Sequence, residues 1–121
     1  MVTFDQVREI ALRLPGVEEG TSYGTPSFRV KGKFISRLRT EDDSLVVKVG
    51  DGFRDMLLQA NPSVYFVTDH YAGYPAVLIR LSDADPDDIA EALEEAWRLA
   101  APKKLIADYD AALADGSAVD L

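Results

Sequence analysis

Ser27-Phe28-Arg29-Val30-Lys31-Gly32-Lys33-Phe34-Ile35-Ser36-Arg37-Leu38-Arg39 is the stretch on which the fold of this chain turns. Apolar and charged residues alternate along it with the period of two of a pleated strand. Ser27 to Val30 therefore reads as one strand, Lys31-Gly32-Lys33 as a tight turn and Phe34 to Arg39 as the returning strand of a β-hairpin. The alternation puts Phe28, Val30, Phe34 and Leu38 on one face and Arg29, Lys31, Arg37 and Arg39 on the other, with Lys33 at the turn. One face is apolar and one is cationic, and no aromatic is expected among the charges, which argues against base stacking there.

Outward from the hairpin, the polar stretch Thr40 to Ser44 supplies a second turn, and the β-branched run Leu45 to Val49 extends the sheet into a meander. On the N-terminal side, Thr3 and Gln6 have the spacing of a capping box. Phe4, Val7, Ile10, Ala11 and Leu14 then recur at helical intervals until Pro15-Gly16. Residues 17–26, rich in Glu, Gly, Thr and Ser, read as a loop. After the meander, Asp51 can cap a short helix through Phe53, Met56, Leu57 and Leu58 that stops at Asn61-Pro62. Val64 to Val67 and Ala76 to Leu81 read as two more strands, joined by the aromatic loop Thr68-Asp69-His70-Tyr71-Ala72-Gly73-Tyr74-Pro75. Asp85 as N-cap and Pro86 at the first helical position open a helix whose apolar stripe is Ile89, Ala92, Leu93, Ala96, Trp97 and Ala100. A last helix runs from Lys103 to about Ala114.

The order α-β-β-β-α-β-β-α-α predicts an α+β fold, an antiparallel β-meander with helices packed on one face. A single domain over residues 1–114 and a flexible tail over 115–121 are expected. The size agrees, since 121 residues can bury one core without a disulfide or a metal. There is no cysteine, so thiolate chemistry and cysteine-bound zinc are excluded. Met1 to Asp5 has neither the basic start nor the apolar run of a signal peptide, and no apolar stretch reaches the ~20 residues of a membrane-spanning helix, so a cytoplasmic location without membrane partners is expected.

The net charge of −8 opposes attraction to a polyanion, but the charge is unevenly distributed. From Pro26 to Gly50 the chain carries +3, and the remainder carries −11. The cations of that window, Arg29, Lys31, Lys33, Arg37, Arg39 and Lys48, are candidate nucleic-acid contacts, since lysine and arginine on a two-stranded ribbon can neutralise phosphates. The plainer alternative is a solvated sheet face whose charges prevent edge-to-edge aggregation.

A second candidate site is the aromatic loop. His70, Tyr71 and Tyr74, with nearby Tyr23, offer rings for a protein or small ligand and no nucleic-acid role. Asp69 could orient the His70 imidazole as a general base, yet no nucleophile elbow or triad spacing accompanies it, so no catalytic residue is assigned. A lone histidine also falls short of the usual zinc ligand sets, and no phosphate-binding glycine loop occurs; neither a metal nor a cofactor is assigned. Asp83, Asp85, Asp87, Asp88, Glu91, Glu94 and Glu95 form an acidic ridge, for which a solvated helix face favoured by the helix dipole is sufficient reason.

Leu14-Pro15-Gly16, Tyr23 to Phe34, Gly73-Tyr74-Pro75-Ala76-Val77 and Ala96-Trp97-Arg98-Leu99 before Pro102-Lys103, in that order, resemble the MmcQ/YjbR family of small bacterial proteins over the chain to about Tyr109. The resemblance implies a frataxin-like (CyaY-like) α+β fold, also described as a double wing, and a DNA-binding role. It carries no catalytic residues to this chain, and a shared fold is by itself a weak warrant for activity.

Overall fold

The computed structural model describes residues 1–115; residues 116–121 of the expected tail lie outside the described part. The elements are α1 (Phe4–Arg13), β1 (Val17–Ser22), β2 (Thr25–Val30), β3 (Lys33–Arg39), β4 (Ser44–Lys48), α2 (Asp51–Ala60), β5 (Tyr65–Phe66), β6 (Ala76–Arg80), α3 (Pro86–Ala100) and α4 (Lys103–Ala114). The six strands form one antiparallel sheet in the order β1-β2-β3-β4-β6-β5, and the fold class is the expected α+β.

The local signals act as the sequence suggests. The Thr3 hydroxyl accepts from the Gln6 backbone N–H at 3.2 Å, and the Gln6 side chain accepts from the Thr3 N–H at 2.9 Å, closing the capping box of α1. In α3, Asp85 and Asp88 cap each other reciprocally around Pro86, and the buried residues are the predicted stripe from Ile89 to Ala100. For α2, Gly50 and not Asp51 is the N-cap and Asp51 is the first helical residue, so the helix starts one position earlier than expected. The helices pack on one side of the sheet. Their buried residues Val7, Ala11, Leu57, Leu93 and Trp97 share a core with Phe28, Val30, Ile35, Leu45, Val47 and Ile79 from the strands.

Two features depart from the sequence reading. Val17–Ser22, read as a loop, is an edge strand paired along its whole length with Thr25–Val30. It has one neighbour and is mostly exposed, so no alternation of apolar and polar residues marks it, and pairing to β2 alone makes it a strand. Its turn to β2 has φ of 53° at Tyr23 and 77° at Gly24, the left-handed geometry that joins twisted strands tightly. Lys31 and Gly32 make the same kind of turn between β2 and β3, so Lys31 belongs to the turn and not to the charged strand face.

The second departure is a β-bulge. Arg29 pairs with Phe34 while Phe28 pairs with Ser36, which leaves Ile35 as an extra residue in β3. Ile35 enters the core in place of Phe34, and Phe34 turns to the opposite face, with the Arg29 guanidinium carbon 5.7 Å from its ring centroid. A one-residue slip reverses the facing of a strand, so alternation read across an unseen bulge misplaces Phe34.

Candidate nucleic-acid interface

The face of the sheet opposite the helices carries a small apolar patch of its own, Val46, Ala76 and Leu78, with Phe66 and Tyr71 packed against it. Tyr71 arrives on the loop between β5 and β6, where Asp69–Tyr71 form one turn of 3-10 helix. Polar contacts from the sheet and from α2 hold this loop down, among them the Val49 N–H donated to the Pro75 carbonyl at 2.9 Å. Arg37 Nη2 donates to the Tyr71 hydroxyl at 2.7 Å, and Arg54 Nη1 of α2 donates to the Tyr74 carbonyl at 2.8 Å. The rings of the loop lean on one another: His70 meets Tyr71 edge-on at 4.8 Å, and Tyr71 meets Tyr74 at 6.0 Å.

Between this loop and the β1–β2 turn lies a concave site of about 360 Å³. Its floor includes Phe34, Val46 and Ala76. Ser22 and Tyr23 stand on one side, and His70, Tyr71, Tyr74 and Pro75 on the other. Arg29, Arg37 and Lys48 line it, and no carboxylate does. The two candidate groups of the sequence reading, the cationic hairpin and the aromatic loop, are thus brought together in one site. The expectation of a charged face without aromatics is corrected by the bulge, which adds Phe34, and by the two turns that overhang the sheet.

The cations in the site have neutral partners. Arg29 Nη2 donates to Ser22 Oγ at 3.0 Å. Arg37 Nη1 lies 3.3 Å from the Leu38 carbonyl and 3.4 Å from Thr25 Oγ1, and its guanidinium carbon is 5.1 Å from the Tyr23 ring centroid. Lys48 is exposed and makes no ion pair among the described residues.

The remaining predicted residues sit elsewhere. Lys31 and Lys33 are exposed at the β2–β3 turn, outside the concave site. Arg39 lies on the same side but is neutralised, with Glu41 at 3.3 Å and Asp42 at 3.6 Å. The Glu41 carboxyl is held below its usual range, chiefly by a backbone hydrogen bond and then by Arg39. His70 shows ring contacts and no side-chain hydrogen bond among the described residues, so Asp69 does not orient it. On the acidic ridge, Glu94 is engaged by Arg98 at 3.2 Å and by the Tyr109 hydroxyl at 2.9 Å.

Sequence reasoning missed Arg80 and Phe66, which lie on the same face of the sheet outside the lining of the site, the guanidinium carbon 4.0 Å from the ring centroid. Alternation along Ala76–Arg80 puts Arg80 with Ala76 and Leu78, so that part was available from the sequence. Phe34 was not, because nothing local marks the bulge.

No helix among the described residues is long and apolar enough to cross a membrane. Residues 12–99 match the model of the YjbR family. The uncharacterized proteins Rv2570 of Mycobacterium tuberculosis and Mb2600 of Mycobacterium bovis are each 32% identical to this chain over 124 residues, covering 88% of it and 94% of the relative. The crystal structure of Deinococcus radiodurans protein DR2400, with its domain DUF419, shares the fold at a TM-score of 0.70 and 23% identity, over 82% of this chain and 78% of that one. With the greater part of its length matched by the family model and by full-length relatives, the chain belongs to the YjbR family.

Proposed function

We propose that this protein is a non-enzymatic binding module that takes nucleic acid on the helix-free face of its sheet, with single strands preferred over duplex. The observation that carries this reading is where the unpaired cations lie. Arg8, Arg13, Arg39, Arg54, Arg98 and Lys104 each have a carboxylate within ion-pair distance. Among the described residues, Arg29, Lys31, Lys33, Arg37, Lys48 and Arg80 have none, and only Lys103 joins them from elsewhere in the chain. In a protein with a net charge of −8, the four of these that lie on the helix-free face, Arg29, Arg37, Lys48 and Arg80, are left without acids and favour an anionic partner there, while Lys31 and Lys33 stand at the β2–β3 turn.

The neighbouring rings narrow the choice. Cations for the backbone beside aromatic platforms for bases are the combination that binds single strands, each stacked base contributing about 1–3 kcal/mol. A duplex keeps its bases stacked inside and has no use for such platforms. The overall negative charge acts at long range and is screened beyond ~8 Å at physiological salt, so the local cations govern contact.

Fluorescence anisotropy with single- and double-stranded DNA of one sequence, at two salt concentrations, tests this. The single strand should bind more tightly, and three phosphate contacts imply a slope of log K against log salt of about −2. An Arg37→Glu/Lys48→Glu double variant with an unchanged circular dichroism spectrum should bind at least about tenfold more weakly. Absence of binding at low salt, or equal affinity in the charge-reversed variant, removes the reading.

A further inference from the structure

We propose that the concave site takes one unstacked nucleotide bearing a phosphomonoester, supplied either by the end of a strand or by a free mononucleotide. In its strand-end form the inference rests on the nucleic-acid reading above and names the part of the strand that is recognised.

Arg29, Arg37 and Lys48 share a site of about 360 Å³ with no carboxylate in its lining. An internal phosphodiester brings one negative charge, whereas a phosphomonoester brings about 1.5 to 2 at neutral pH, with more acceptor oxygens. Three cations held together are better matched by the second. The volume agrees, lying at the low end of the ~300–1,000 Å³ of small-ligand sites. It suits one nucleotide rather than a run of them.

Tyr23 also lines the site. Its side chain is 90% exposed, and its backbone is left-handed, with φ of 53°. A residue with a Cβ is strained there by roughly 1–2 kcal/mol, which asparagine or glycine would largely avoid. The only ring contact of Tyr23 among the described residues is the Arg37 guanidinium, so the fold has little need of this ring. A strained, exposed aromatic at the rim of a cationic site is what a ligand's flat face would require. Tyr74, 58% exposed, stands on the other side of the concavity. The rings supply the surface for the base, and the three cations hold the phosphate.

The test is calorimetric titration of the full chain with deoxyadenosine monophosphate, deoxyadenosine, inorganic phosphate, and a short oligodeoxyadenylate with and without a terminal phosphate. A terminal phosphate at the 5′ or the 3′ end should strengthen oligonucleotide binding by about tenfold or more. Deoxyadenosine monophosphate should compete for the site, and deoxyadenosine and inorganic phosphate should each bind at least about tenfold more weakly than it does. Tyr23→Ala and Lys48→Gln should each lower affinity for the phosphorylated ligand about tenfold, with Tyr23→Asn as the variant that keeps the turn. Equal binding of the two oligonucleotides overturns this inference and leaves the nucleic-acid reading standing. Binding of the mononucleotide with neither oligonucleotide overturns that reading and assigns the site to the free ligand. Inorganic phosphate binding as tightly as the mononucleotide overturns the role of the rings, and no binding by any ligand overturns both proposals.

Discussion

Arg37 and Tyr71 are joined by a 2.7 Å hydrogen bond, donated by the guanidinium to the phenol oxygen across 34 positions of the chain. It connects the central cationic strand to the aromatic loop, and the concavity exists because the two are held at this separation. Tyr71→Phe keeps the ring on Val46, Ala76 and Leu78 and removes the acceptor. We expect a loss of about 0.5–1.5 kcal/mol in urea unfolding, with faster amide exchange at Tyr71 and Tyr74. Unchanged stability and exchange would mean that ring packing and the remaining bonds of Arg54 to Tyr74 and Val49 to Pro75 fix the loop without the Tyr71 hydroxyl.

Tyr23→Asn separates stability from binding. The variant has the Asn-Gly pair favoured when both central turn residues have positive φ, and it relieves strain of about 1 kcal/mol at the cost of a weak, exposed cation–π contact. The expected outcome is a protein at least as stable as the parent that binds its ligand more weakly. Destabilisation by more than about 1 kcal/mol would show that the fold does depend on the Tyr23 ring.

Arg39 and Lys48 share a face of the sheet and differ in their partners. Arg39 is 18% exposed and already faces Glu41 and Asp42, whereas Lys48 is exposed and unpaired. Arg39→Ala should therefore change single-strand affinity by no more than about twofold, while Lys48→Ala should weaken it and reduce the steepness of its salt dependence by about 0.7. Equal effects of the two substitutions would place the contact surface at the edge of the face rather than in the concavity.

Two tyrosines with raised pKa are expected to weaken the fold at alkaline pH. Burial pushes the Tyr65 hydroxyl up to about 12, with the charges of Asp88 and Glu91 adding to it. Tyr109 is raised as well, by burial and then by Glu94. A raised folded-state value means that the contribution is complete below the ordinary tyrosine range near ~10 and is lost as the pH rises toward 12. Tyr65→Phe should flatten the decline of stability across that window, followed by urea midpoints at successive pH values. An unaltered decline would assign the alkaline limit to other groups.

Trp97 ties α3 to the end of α1. Its indole Nε1 donates to the Pro15 carbonyl at 2.8 Å, its ring meets Tyr109 at 4.9 Å, and it is fully buried. Trp97→Phe leaves a void and an unpartnered carbonyl, and should cost about 2–4 kcal/mol in chemical denaturation. A loss below about 1 kcal/mol would show that the core closes over the missing ring.

The helices were legible because each carries its own signals. Thr3 with Gln6 closes the cap of α1, Asp85-Pro86 opens α3, and the stripe from Ile89 to Ala100 is the buried face. The strands were legible where an apolar run is buried on both faces, as in Ala76–Arg80, and illegible in Val17–Ser22, whose residues gain strand character only from β2. The site was legible in composition and not in assembly. Arg29, Arg37, Lys48, Tyr23, His70, Tyr71 and Tyr74 were all candidates, but as two competing sites instead of one.

The amino-acid sequence by itself determined the helices, the central hairpin and the concentration of positive charge between Pro26 and Gly50, since capping, periodicity and turn chemistry act over a few neighbouring residues. Only the tertiary structure decided which cations remain unpaired, that Ile35 rather than Phe34 enters the core, and that the loop over residues 68–75 folds back onto the cationic strand. A bulge, an ion pair and a long-range hydrogen bond each depend on segments that meet only when the sheet is complete, and the concave site is the sum of those meetings.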